Sequence, residues 1–254
     1  MDISLIMASK RVQSLKHFLK SSSDLCHDPS RVEIIIGIDR GNQEMVDLYD
    51  SWKGHTYPYP FKISFVILDN PKGYFGLGYV YDGCFMSTHP SSYFVQICND
   101  KLRFTCKYWD DKYMSYKGSF DDDIFVVRTS SKREWVRGSL YTPDNFRLYT
   151  KKMYNLLEGH GDYWSADSWH EPTLNYLGSP PHSHDRQVVC DVGIFDAATE
   201  IASPLSGRAA GDPGKIEEGL GRIGDPKYHE YTYKRIAKKL SDYIEEVSNH
   251  EKSS

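Results

Sequence analysis

The chain has 254 residues and a formal net charge of −4, with 31 Lys and Arg set against 35 Asp and Glu. That balance excludes the chain-wide basic surface of a nucleic-acid-coating protein, and the length fits one α/β domain, or one with a small annex. No apolar stretch approaches the ~18–20 residues that span a bilayer, and the N-terminus lacks the basic and apolar regions of a secretion signal. Five cysteines, Cys26, Cys84, Cys98, Cys106 and Cys190, form no CxxC pair and no metal-ligand spacing, which predicts reduced thiols. The expectation is a cytoplasmic protein with no transmembrane segment, peripheral association with a membrane being left open.

The first hundred residues alternate strand and helix signals. Ile3 to Met7 is an apolar run suited to a buried strand, and Val12, Leu15, Phe18 and Leu19 then recur at helical spacing. Val32 to Ile38 is rich in β-branched residues and reads as a second buried strand. Met45, Leu48, Tyr49 and Trp52 share one helical face. Phe61 to Leu68 is a third strand, Leu77, Val80, Tyr81, Cys84 and Phe85 a further helical stripe, and Tyr93 to Cys98 a fourth strand. This order predicts an α/β fold with a mainly parallel sheet flanked by helices.

After Asp100 the regularity weakens. Ile124 to Val127 reads as a short strand, with Asp121-Asp122-Asp123 before it as a solvated turn. Phe146, Tyr149, Met153, Leu156 and Leu157 suggest one helix, started by Thr142-Pro143-Asp144. Val188 to Phe195 is a late strand. Residues 203–226 are rich in Gly and Pro and read as a flexible loop, a lid or a poorly ordered connection. Tyr233, Ile236, Leu240, Tyr243, Ile244 and Val247 define an amphipathic helix over residues 227–247, with a polar tail from Ser248 expected to fray.

Ligands of open α/β sheets bind just beyond the carboxyl ends of the strands. Ser9, Lys10 and Arg11 follow the first strand, where a hydroxyl and cations at a helix start suit a nucleotide phosphate or ribose; the plainer reading is a capping Ser with solvated charges. Asp39 ends the second strand and can accept hydrogen bonds from a base or ribose, or cap the next helix. Lys72 follows the third strand beside Gly73, Gly76 and Gly78. The order of these glycines is neither a dinucleotide fingerprint nor a P-loop, but they permit close backbone approach to a ligand, or a tight turn. Asn99-Asp100-Lys101 ends the fourth strand as a candidate site, with an Asx turn as the alternative. Arg128 and Arg133, with Lys132 and Arg137, can neutralise a diphosphate or form a solvated basic loop. Asp162 and Asp167 lie beside Trp164 and Trp169, which suits a shielded general base and rings that stack on a sugar. Alternatively Asp167 caps a helix starting near Ser168, with both tryptophans in the core. His182, His184 and His229 read as surface histidines ahead of metal ligands.

Together Ser4 to Arg11, Glu33 to Asp39, Tyr93 to Lys101 and Trp164 to Trp169 resemble a GT-A-fold glycosyltransferase of the family-two type, over roughly Asp2 to Leu177. The resemblance implies a single domain, with residues 1–105 as a nucleotide-binding half and 106–202 as an acceptor-binding half. It places Ser9, Arg11, Asp39, Lys72, Asn99 and Asp100 around the nucleotide. It implies an inverting transfer from a nucleotide-diphosphate sugar such as a UDP-sugar to a glycan or other hydroxyl, with Asp167, or next Asp162, as base. The family's Asp-x-Asp motif corresponds to Asn99-Asp100-Lys101. Asp100 is thus the implied ligand of Mg or Mn, but Lys101 stands where a second acid is usual, so Lys101 with Arg128 or Arg133 is the alternative diphosphate clamp. A nucleotidyltransferase and a non-catalytic nucleotide-sugar-binding relative are the competing readings, and nucleic acid is not an expected partner.

Overall fold

The computed structural model describes residues 1–55, 57–70, 76–134, 140–141, 146–160, 170–196 and 229–252, with backbone alone for 130–134, 140–141, 191–196 and 251–252. The first strands form as their composition dictates: β1 (Ile3–Ala8), β2 (Val32–Asp39), β3 (Lys62–Leu68) and β4 (Phe94–Asn99) lie in the order β3-β2-β1-β4, all parallel. The helices α1 (Val12–Leu25), α2 (Gln43–Trp52) and α3 (Leu77–Met86) connect them. Successive strand residues point to opposite faces, so Leu5 and Met7 of β1 join one core and Ile6 the other. Leu15, Phe18 and Leu19 of α1 and Met45 of α2 cover the first face; Val80 and Cys84 of α3 cover the second.

The sheet continues β4-β8-β6-β9-β5 through β5 (Leu102–Phe104), β6 (Val126–Glu134), β8 (Leu148–Thr150) and β9 (Gln187–Asp196), with β7 (Leu140–Tyr141) paired to β6. Its parallel ladders run six or seven residue pairs and its antiparallel ones two or three, so it is mixed but mostly parallel. Only Asp100 and Lys101 separate β4 from β5, a reach of about 11 Å. In a flat sheet β5 would stand roughly 19 Å from β4, four ladders away at ~4.8 Å each. The sheet therefore curls, and the end of β9 arches back toward the end of β4. The β6–β9 register shift after Thr129, where Asp191 and Val192 of β9 have no counterpart, marks the bend. Phe104 of β5 then stacks on Trp109 of α4 (Trp109–Met114), with ring centroids 4.2 Å apart, and both join the α1 face.

Several expectations are corrected. Phe146 to Leu157 is not one helix: Leu148–Thr150 is β8, and α5 (Lys151–Leu156) begins only after Thr150, which caps it. The helical spacing was real, but β8 supplies the partner that the facing edges of β4 and β6 require. β6 begins at Val126 and runs to Glu134, so Arg128, Lys132 and Arg133 belong to a strand, not to a loop after one. Asp122 is not solvated: it pairs with Arg186 at 3.0 Å and its side chain is 7% exposed. Asp123, at φ +54°, accepts a hydrogen bond from the Tyr93 hydroxyl. The C-terminal helix, α7 (Glu230–Lys252), continues through Ser248, whose hydroxyl donates to the Ile244 carbonyl at 2.9 Å. It packs on α6 (Glu171–Gly178), burying Ile236, Ala237, Leu240 and Ile244 in the second core. The expected loop over 203–226 lies outside the described residues. Among the described residues no helix is long and apolar enough to cross a membrane.

Candidate functional site at the carboxyl edge of the sheet

Ala8, Gly37 and Asn99 stand level across β1, β2 and β4. β2 runs two residues further to Asp39, and the chain after β4 one further to Asp100, so two carboxylates flank the exit of β1 at Ser9-Lys10-Arg11. Asp100, 7% exposed, turns inward. Its Oδ2 accepts hydrogen bonds from the Ser9 hydroxyl at 3.1 Å, the Lys10 N–H at 3.1 Å and the Arg11 N–H at 3.3 Å. α1 has no side-chain cap of its own and no acid in its first turn. Asp100 supplies the negative charge that the positive end of the helix favours.

Asp39 is half-buried, and its Oδ1 accepts the Gly41 N–H at 3.0 Å. It does not cap α2. That role belongs to Asn42, whose Oδ1 accepts the Met45 N–H at 3.3 Å while its Nδ2 donates to the Lys10 carbonyl at 2.8 Å. Asn42 thereby ties the start of α2 to the β1–α1 loop. It was missed from sequence, although an Asn directly before a helical stripe is a start signal. At the end of β4, the Asn99 Oδ1 accepts the Lys101 N–H at 2.9 Å, the Asx turn that was the alternative reading there. Arg103 braces this turn, its Nη1 donating to the carbonyls of Asp100 at 2.9 Å and Leu102 at 2.7 Å.

The structure thus brings Ser9, Arg11 and Asp100 together, with Asp39 across β1 from them. Lys101 is half-buried in the turn. Arg128 is exposed on β6, two strands from β4 and level with Ile97 through the ladders of β8. The backbone of Arg133 lies in the part of β6 that pairs with β7. The side chain of Arg133, and the whole of Lys72, Asp162, Trp164, Asp167 and Trp169, lie outside the described residues.

A second polar cluster, buried under the other face, was not anticipated. His160 and His170 bracket residues 161–169, and their rings stand 4.7 Å apart. The His160 Nδ1 lies 2.9 Å from the Tyr154 hydroxyl and 3.0 Å from Asp82 of α3. The His170 Nε2 lies 3.0 Å from the Gly159 carbonyl, which can only accept, so Nε2 carries the proton and Nδ1 accepts from the Tyr149 hydroxyl at 3.2 Å. That imidazole is neutral: burial, with His160 beside it, pushes His170 well below the usual histidine range. Gly159 is at φ +79°, and a Cβ there would meet the Asp82 carboxylate at 2.9 Å. α6 begins at Glu171, after His170; the expected helix start at Asp167 and Ser168 lies outside the described residues.

The described residues at the end of β4 form no multidentate protein cage for a divalent metal. Hard cations take six or more oxygen ligands. Among the described residues no three His, Cys, Asp or Glu side chains converge. The inward oxygen of Asp100 is filled by three donors, the Asn99 oxygen by a backbone N–H, and the next side chain is an ammonium.

This sheet order, with its flanking helices and its acidic residues at the carboxyl edge, defines a GT-A-like, Rossmann-related fold. Solved structures of the same architecture are S. aureus TarS 1-349 in complex with UDP (TM-score 0.54, 13% identity, covering 77% of this chain and 60% of that one). TarS 1-349 in complex with UDP-GlcNAc is similar (TM-score 0.52, 11% identity, covering 90% and 72%). So is the mannosyltransferase PcManGT from Pyrobaculum calidifontis in complex with GDP-Man and Mn2+ (TM-score 0.51, 11% identity, covering 96% and 86%). The chain spans about 60% of the length of TarS 1-349 in its UDP complex. No protein-family model matches the sequence, and no curated protein matches it.

Proposed function

We propose that this chain is a glycosyltransferase that moves a sugar from a nucleoside-diphosphate sugar to a hydroxyl acceptor. The observation that carries the reading is the pair Asp39 and Asp100 flanking the exit of β1 at the carboxyl edge of a GT-A-like sheet, where such folds bind ligands. In this reading Asp39 accepts hydrogen bonds from the base or ribose. Ser9, Arg11, Lys72, Asn99 and Asp100 shape the nucleotide site. Lys101, Arg128 and Arg133 stabilise the leaving diphosphate, in place of Mg or Mn, where negative charge develops. Asp167, or failing it Asp162, takes the proton of the acceptor hydroxyl. The acceptor oxygen bonds to the anomeric carbon as the bond to the diphosphate oxygen breaks, with inversion and no covalent enzyme intermediate. Trp164 and Trp169 stack on the sugars. Residues 1–105 serve the donor and 106–202 the acceptor.

The TarS complexes hold UDP and UDP-GlcNAc and PcManGT holds GDP-Man, so uridine and guanosine donors are the first to try. The test is a thermal-shift panel of UDP, GDP, CDP and their sugars, because a ligand of the native state raises its melting temperature by mass action. A shift with one nucleotide class supports the reading; no shift with any of them rejects it. Lys101 at the usual place of an acid favours one second reading, a nucleotide-sugar-binding protein without transfer. The two separate on Asp167→Asn: a transferase loses turnover while keeping donor affinity.

A further inference from the structure

We infer that Asp100 is a positioning residue, a latch between the end of β4 and the β1–α1 loop, and that a nucleoside diphosphate binds at this edge without a protein-held divalent cation. The inference deepens the reading of this edge as a nucleotide site and rests on it for the ligand class. Its ground is the donor set. One carboxylate oxygen offers about two acceptor positions, and the Oδ2 of Asp100 already meets one hydroxyl and two backbone N–H groups between 3.1 and 3.3 Å. A cation on that oxygen would take it from Ser9, Lys10 and Arg11 together. Ser9 is 6% exposed, so its hydroxyl would lose a buried partner.

The neighbouring groups point the same way. The Asn99 oxygen accepts the Lys101 N–H, and the residue after Asp100 in the chain carries an ammonium and not a second acid. Asp39 stands across β1, with its Oδ1 committed to Gly41. Asp100 therefore acts through other groups: it sets the path of Ser9 to Arg11, and through the Lys10 carbonyl it reaches Asn42 and α2. Losing it should disturb the nucleotide site and the start of α1 together, whatever metal is present.

The experiment compares the wild type with Asp100→Ala and Asp100→Asn, each in EDTA and in Mn2+. It measures melting temperature, UDP and GDP affinity by calorimetry, and Mn2+ binding to the free protein by electron paramagnetic resonance. The expected wild-type affinity is the same in EDTA and in Mn2+. Asp100→Ala should lower the melting temperature in EDTA and weaken the nucleotide by about tenfold or more. Asn, which keeps an acceptor oxygen for the loop but is a poor metal ligand, should restore much of both. Nucleotide binding that vanishes in EDTA overturns the inference, as does Mn2+ binding that Asp100→Asn removes at unchanged melting temperature. If Asp100→Ala does not fold, the wild type and Asp100→Asn carry the test. If no nucleotide binds the wild type, the transferase reading fails. The latch is then decided by the melting temperature in EDTA: a lower value for Asp100→Ala keeps it, an unchanged one overturns it.

Discussion

Gly37 in β2 lies so close to α3 that a Cβ there would meet the Val80 Cγ1 at 2.3 Å and the Cys84 Sγ at 2.8 Å. Val80 is branched and Cys84 is fully buried, so neither has room to withdraw. Gly37→Ala should therefore cost about 1–3 kcal/mol, read as a lower urea midpoint at unchanged slope. His170 makes a different prediction. It stays neutral when folded but takes up a proton in the unfolded chain below the ordinary histidine value of 6.5. The unfolded state then binds more protons, so stability is full above that value and falls as pH drops through it, by up to ~1.4 kcal/mol per pH unit for one proton. The fall should appear between about pH 6.5 and 5, and His170→Gln should flatten it; an unchanged slope would show that His170 is protonated in the fold. Glu158 acts in a separate window. Hydrogen bonds from Arg235 and Lys239 pull it down to about 2, so its contribution holds above the ordinary 4.5 and is lost only below it.

The helices differ in how their starts are held. α2 is capped by the side chain of Asn42 and α5 by that of Thr150, whereas α1 has no side-chain cap and the loop before it bonds Asp100, 89 to 91 residues away. Thr150 does more than cap, because its Oγ1 also donates to the Asp123 carbonyl at 2.6 Å, and it is 1% exposed. Thr150→Ala should cost about 1–2 kcal/mol, at the upper end for a cap, and Thr150→Ser should recover most of it in the same denaturation assay. α7 is held by its apolar face. Leu240 is fully buried in the second core, so Leu240→Ala should cost about 2–5 kcal/mol. A cost below about 0.5 kcal/mol, the level of an ordinary surface substitution, would mean that α7 does not pack there in solution.

At the scale of the molecule, the curl of the sheet decides which backbone stands near the candidate site. It brings the end of β9, with the backbone of β6 beside it, toward an edge that β2, β1 and β4 had already furnished with Asp39 and Asp100. Much of this was readable in advance. The runs at Ile3, Val32 and Phe61, each followed by a helical stripe, and the run at Tyr93 foretold β1 to β4 and α1 to α3, because burial on both faces demands continuous apolar strands. The short elements were not readable. β5 and β8 have three residues each and α4 has six, too few for a period to declare itself.

Local chemistry by itself determined the parallel half of the sheet, the C-terminal amphipathic helix and the presence of acids at the strand ends, since periodicity and composition act over neighbouring residues. Only the tertiary structure decided what those acids do. Asp100 faces the start of α1 because β4 lies beside β1, Asn42 rather than Asp39 caps α2 because of the turn after β2, and Asp122 is buried because Arg186 arrives from 64 residues away. Hydrogen bonds across such separations form when the chain packs and leave no local signature, so the sequence places Asp100 at a strand end but does not show that it holds the loop before a distant helix.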